Sequence, residues 1–246
     1  MRTIASTAHR GKGADKASRA RTKVKRNRLD PDVRAKLILR GAITFFAKHG
    51  FSGQTRELAA ALGVSKGLLY RYFPSKGALI DRIYAEVFLR RWNPDWESIL
   101  TDRSRSLGER LKVFYCDYAE IVREYEWVRI YLFAGLANAS INRHYVKLVI
   151  ERIYKPLINE FRHEFGFPAI EDVEVTEPEL ELMWNLHGSI FYIGMRKWVY
   201  GVGTPLDMNG AIERMVEGLY ANAKNVMRDA LPGSARTVPA AARTRA

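Results

Sequence analysis

Between residues 33 and 229 the apolar positions recur at spacings of three and four, the period of helices that each bury one face. No strand-period stretch bounded by hairpin signals interrupts them; Val173 and Val175 alternate with acids over too short a span to change an all-α reading. Val33, Leu37, Ile38, Ala42, Phe45 and Phe46 mark the first inward face, and His49-Gly50 ends that helix on a glycine stop. Thr55 is placed to cap a short helix through Leu58, Ala59 and Leu62, which Gly63 terminates. Ser65 caps a second short helix to Phe73, Pro74 cannot continue it, and Ser75 caps the next, with Leu79, Ile80, Ile83, Val87 and Phe88 inside. Beyond Trp92-Asn93-Pro94 the pattern predicts helices near 107–123, 125–137, 141–165, 177–200 and 208–229. The breaks fall at Arg105-Ser106, Asn138-Ala139-Ser140, Gly166-Phe167-Pro168 and Gly201 to Pro205.

The two ends lack this pattern. Residues 1–30 contain almost no large apolar side chain and read as a disordered basic arm, and residues 231–246 read as a flexible tail. Charge divides the chain further. Residues 1–28 hold ten Lys/Arg against one acid and residues 31–92 hold eleven against four, whereas residues 93–230 hold sixteen against twenty-one. The net charge of +13 is therefore concentrated in the front third, where it suits a polyanionic partner. No apolar run reaches the roughly 18 residues of a membrane span, and no apolar segment follows the basic N-terminus, so a cytoplasmic location is expected. The lone cysteine, Cys116, excludes an intrachain disulfide and multi-cysteine zinc sites and reads as a small buried residue.

Two short helices joined by Gly63-Val64-Ser65 have the form of a helix-turn-helix, whose second helix enters the major groove. Ala59 is small where the helices would cross, Gly63 supplies the turn, and Leu69 anchors the second helix. With Leu69, Tyr72 and Phe73 turned inward or sideways, Lys66 and Tyr70 form one outward row and Gly67 and Arg71 the next. Glycine at 67 permits close approach to a groove, and Ser65 with the free N–H groups behind it can hold a phosphate. Spacing alone also admits a helical hairpin with a solvated basic face.

Phe45-Phe46-Ala47-Lys48-His49-Gly50-Phe51, Arg56-Glu57-Leu58-Ala59 and the run from Gly63 to Lys76 resemble the DNA-binding domain of TetR-family regulators, over about 60 of the 246 residues. The segment between Phe51 and Leu58 is one residue shorter than the commonest family form, which bears on the cap at Thr55. The resemblance implies a three-helix head over 31–91 and a helical ligand-binding and dimerisation body over 92–230. It implies a homodimer on a palindromic double-stranded operator, acting as a repressor released by a small-molecule effector. Position by position, Lys66, Gly67, Tyr70 and Arg71 would face the groove, and Thr55, Ser65, Tyr72 and Lys76 would hold phosphates.

Rival chemistries are weak. Gly63-Val64-Ser65-Lys66-Gly67 formally matches a nucleophile elbow, but that motif needs a preceding strand and here follows a helix. The histidines at 9, 49, 144, 163 and 187 lack metal-ligand spacing; His144 and His187 could line a cavity, although core or surface positions are the plainer reading. Asn138-Ala139-Ser140 is a formal glycosylation sequon without a secretory signal. A non-specific nucleic-acid packer would need no acidic, aromatic-rich body. No catalytic residue, metal or cofactor is expected. An apolar or aromatic effector is placed among Tyr118, Trp127, Tyr131, His144 and Trp184, which are equally candidates for core. The last two predicted helices carry apolar residues on more than one face, which places a dimer interface at Trp184, Phe191, Met195, Ile212, Met215 and Leu219.

Overall fold

A computed structural model describes residues 30–51, 55–137 and 140–231 of the chain. The arm expected over 1–30 and the tail expected over 231–246 lie outside the described residues, except for Asp30 and Leu231, and so do Ser52 to Gln54 and Asn138-Ala139. Leu231 is not part of a loose tail: it is buried against the core at the end of the last helix.

The head begins with α1, Pro31–His49. The Asp30 carboxylate accepts from the backbone N–H groups of Asp32 at 2.8 Å and Val33 at 3.4 Å, and Pro31 brings a helix-ready φ. Gly50, at φ 75°, ends the helix. A Cβ there would also lie 2.9 Å from the Phe133 ring. The buried face of α1 starts at Ile38, not at Val33 as expected, since Val33 and Leu37 are exposed. Periodicity gives the direction of an apolar face but not how far a partner extends along it. Next come α2, Thr55–Ala61, α3, Lys66–Tyr72, and α4, Lys76–Tyr84, which runs on without a break into a π turn, Ala85–Leu89. Phe46, Phe51, Leu58, Ala59, Leu69, Phe73, Leu79 and Ile83 close the head core.

The body holds α5, Trp96–Thr101, α6, Leu107–Val122, and α7, Tyr125–Leu136. Then follow α8, Ser140–Val149, a second π turn, Ile150–Tyr154, and α9, Lys155–Phe165. The long pair α10, Glu177–Trp198, and α11, Met208–Ala230, closes it. Sequence periodicity did not reveal α5, whose six residues bury only Trp96 and Leu100, too few to show a period. Its anchor is tertiary, an indole N–H from Trp96 to Asp117 Oδ2 at 2.7 Å. Reciprocal capping boxes start α6, through Ser106 and Glu109, and α10, through Thr176 and Glu179. Helix α10 packs on α11, α7 and α6, and α11 packs on α6, α9 and α10, so much of their apolar surface is already covered within the chain. No strand occurs among the described residues, and none of their helices is long and apolar enough to cross a membrane.

Two ionic clusters sit inside the body. Arg162 and Glu179 are both fully buried; the guanidinium donates Nε to Oε1 at 2.7 Å and NH2 to Oε2 at 2.6 Å. Its remaining donors reach the carbonyls of Val173 at 2.5 Å and Glu174 at 3.1 Å, fixing the loop into α10. Burial alone would raise the Glu160 carboxyl, but hydrogen bonds from Arg103 and Arg110 hold it below its usual range.

Candidate functional site

The helix-turn-helix is built by local chemistry. Gly63 takes φ 62° and its N–H bonds the Ala60 carbonyl at 3.1 Å, while Val64 N–H reaches Ala59 at 3.0 Å, so α2 ends on a residue that tolerates the left-handed region. The Ser65 hydroxyl accepts from the Leu68 N–H at 3.1 Å and starts α3; Ser75 does the same for α4 through Ala78 at 3.0 Å. Leu69, buried to 1%, pins α3 to the head core.

That anchoring decides which side chains of α3 remain available. Ser65, Lys66, Gly67 and Arg71 are exposed, and Tyr70 and Tyr72 are half-buried. A Cβ on Gly67 would meet nothing within 4 Å, so that face stays low and open. The Tyr70 hydroxyl lies 3.0 Å from Thr55 Oγ1, and Lys66 Nζ sits 5.7 Å from the centre of the Tyr70 ring. Thr55 is the first residue of α2, where a cap had been expected. Half-buried Lys76 donates to the Phe51 carbonyl at 2.6 Å, tying the start of α4 to the turn after α1. The exposed cations Lys66 and Arg71, the open Gly67 and the capped start of α3 form one face suited to duplex DNA.

The matching family model is that of bacterial regulatory proteins, tetR family, over residues 38–83, which span this head. Residues 38–83 thus match the DNA-binding domain of the tetR family. Crystal structures carry the likeness of fold into the body. A TetR family transcriptional regulator from Pseudomonas syringae pv. tomato str. DC3000 is 19% identical, with a TM-score of 0.54 over 79% of this chain and 96% of that one. A proposed transcriptional regulator from Pseudomonas aeruginosa PAO1 is 23% identical, with a TM-score of 0.55 over 82% and 97%. A TetR-like transcriptional regulator from Rhodococcus sp. RHA1 is 21% identical, with a TM-score of 0.50 over 80% and 98%. At these identities the likeness is one of fold. No curated protein matches the sequence.

In the body, Tyr118, Trp127, Tyr131 and Trp184 line a cavity of about 60 Å³, together with Tyr145, His187 and Phe191. His144, the fifth residue expected there, is exposed and instead faces Tyr84 at 5.9 Å between ring centres. Its neighbour Tyr145 points inward; its hydroxyl shares a 3.1 Å hydrogen bond with that of Tyr118, which also bonds His187 Nε2. Burial pushes the His187 imidazole down to about 3 and raises the phenols of Tyr118 and Tyr145, so all three are neutral at pH 7. The two π turns both meet this aromatic cluster. Phe88, from the first, lies 5.1 Å from Trp127 and 5.2 Å from Tyr145; Tyr154, from the second, lies 4.9 Å from Trp184.

Head and body also meet through Arg129 of α7, which donates to the Ala47 carbonyl at 2.6 Å and the Trp198 carbonyl at 3.2 Å. Arg91 pairs with Glu124 at 2.8 Å and Arg40 with Glu126 at 3.3 Å. These partners are more than thirty residues apart, and no local sequence signal marks them.

Of the side chains assigned to a dimer interface, Ile212 is buried within the chain. Phe191 packs on Trp127 at 5.7 Å, and Trp184 packs on Tyr154. Met195 is half-buried. Met215 and Leu219 do lie along an open groove of about 260 Å³ between α10 and α11, edged also by Leu182 and Leu186.

Proposed function

We propose that the protein is a repressor that binds a two-fold symmetric operator as a homodimer and releases it when a small molecule enters the body. The observation that carries this reading is the continuity of α4. One helix runs from the head, through the π turn, to Phe88 against the aromatic cavity, so a change in the cavity bears directly on the element holding α3. An effector acts by preferring a body conformation in which the two heads are mis-spaced, which lowers the operator-competent population. Two copies meeting across the outward groove of α10 and α11 would place two α3 helices on successive major-groove faces. Lys66, Gly67, Tyr70 and Arg71 face the bases or adjacent phosphates, with Thr55, Ser65, Tyr72 and Lys76 toward the backbone.

The test is binding to duplexes tiled across the DNA flanking the gene, with nuclease protection of any preferred fragment. A footprint with two-fold symmetry is expected, and Lys66→Ala and Arg71→Ala should each cost ~1–3 kcal/mol on it without loss of fold. Equal affinity for flanking and random duplexes, or unchanged binding by the double variant, would overturn the reading.

A further inference from the structure

Two side chains that line the cavity in the body each carry a buried polar atom left unsatisfied among the described residues. Trp127 and His187 both line it, with 2% and 7% of their surfaces exposed, and neither Trp127 Nε1 nor His187 Nδ1 has a hydrogen-bond partner among the described residues. An unsatisfied buried donor or acceptor costs ~1–3 kcal/mol, and a fold that carries two around one cavity gains from whatever supplies their partners. The remaining wall is aromatic, chiefly Tyr131, Trp184 and Phe191, and no charged side chain lines it. Such a wall rewards a flat, polarisable ring and leaves a full ionic charge unpaired, at far higher cost than a neutral group.

We propose that this cavity takes an uncharged aromatic compound of a single ring bearing a hydroxyl or carbonyl group, which accepts from the Trp127 indole N–H or bonds the open nitrogen of His187. The assignment rests on the reading of the body as effector-binding and gives that site its ligand chemistry. A hydroxyl suits both polar atoms, since it accepts from an indole and serves either tautomer of an imidazole. Size limits the occupant. About 60 Å³ is far below the ~300 Å³ of a site for a larger organic ligand, so one ring is the most that can enter, and it does so by displacing the half-buried rings of Trp184 and Phe191. A ring seated against Trp127 also presses on Phe88, a buried side chain near the end of the helix that comes from the head.

Titration calorimetry on the full chain tests this with four probes of one size: 4-methylphenol, toluene, benzoate and benzylammonium. 4-Methylphenol should bind about tenfold tighter than toluene, the value of one satisfied polar atom, and the two ions should not bind measurably. Trp127→Phe keeps a ring and removes the N–H, and should cut the advantage of 4-methylphenol over toluene. Gly188→Leu is the second variant. Gly188 lines the cavity and is itself exposed, and a Cβ there meets nothing within 4 Å, so the variant should fold, and a leucine at that position should block both neutral probes. Toluene binding as tightly as 4-methylphenol, an ion binding best, no binding of 4-methylphenol, or unchanged binding in Gly188→Leu would each overturn the assignment. The operator complex separates this from the wider reading. If 4-methylphenol binds yet leaves DNA binding unchanged, the effector mechanism fails while the site stands. If another ligand releases the DNA and 4-methylphenol does not bind, the site chemistry fails alone.

Discussion

The hydroxyls of Thr55 and Tyr70, fifteen positions apart, meet at 3.0 Å and join the first residue of α2 to the outward row of α3. Tyr70 is thereby held against α2 while Lys66 lies over its ring, so in the proposed operator complex its hydroxyl would already be committed. Ordering it before DNA arrives removes an entropic cost of binding.

Thr55→Val and Tyr70→Phe, separately and together, should show a coupling of ~0.5–1.5 kcal/mol in operator affinity, read by fluorescence anisotropy at fixed salt. Strictly additive losses would mean that the two hydroxyls serve separate phosphates and that their contact has no part in docking.

The proposed dimer would form across the groove between α10 and α11, which Met215 and Leu219 line, and not through the inward residues of those helices. Met215→Glu places a charge on half-buried Met215 at the groove and should turn a micromolar dimer into a monomer by sedimentation, with helix content retained. Parent protein that sediments as a monomer without DNA would remove the interface altogether.

The buried Arg162–Glu179 pair should be far costlier to break than to replace. Arg162→Met leaves a carboxylate without its cation at zero exposure and should lower stability by ~3–5 kcal/mol in urea unfolding. Arg162→Met with Glu179→Leu should recover most of that loss, short of ~1 kcal/mol for the α10 cap that Glu179 completes with Thr176. A double variant as unstable as the single one would show that the guanidinium bonds to the 173–174 carbonyls, and not the ion pair, hold the corner.

His187 makes stability fall with acid. Its folded value is pushed down to about 3, below the ordinary 6.5, so between these limits the unfolded chain takes up a proton that the folded one refuses. The contribution is complete above pH 6.5 and is lost as pH falls toward 3, with a slope of at most ~1.4 kcal/mol per pH unit. Urea midpoints at pH 7, 6 and 5 should decline less steeply for His187→Gln than for the parent; parallel curves would show that the imidazole titrates in the folded chain as it does in water.

The head was legible in the sequence because its determinants are local. Ser65 and Ser75 cap the helix that each precedes, Gly63 provides the left-handed residue of the turn between α2 and α3, and Leu69 fixes which face of α3 looks inward. Each acts within four residues, the range over which a helix couples its own side chains. The body's long helices were legible for the same reason, while α5 was not, since six residues show no period. What those helices do together came only from their packing. The cavity network draws Tyr118 from α6, Tyr145 from α8 and His187 from α10, over separations of 27 and 69 residues. Composition favoured His144 for that site, but adjacent residues on a helix point about 100° apart, so once Tyr145 faces inward His144 must face out. In the same way α10 and α11 are apolar on several faces, a fact the sequence determined. Which of those faces was already filled by α6, α7 and α9, turning Ile212, Trp184 and Phe191 inward, was decided by tertiary packing, because an apolar side chain has no preference for which apolar surface covers it.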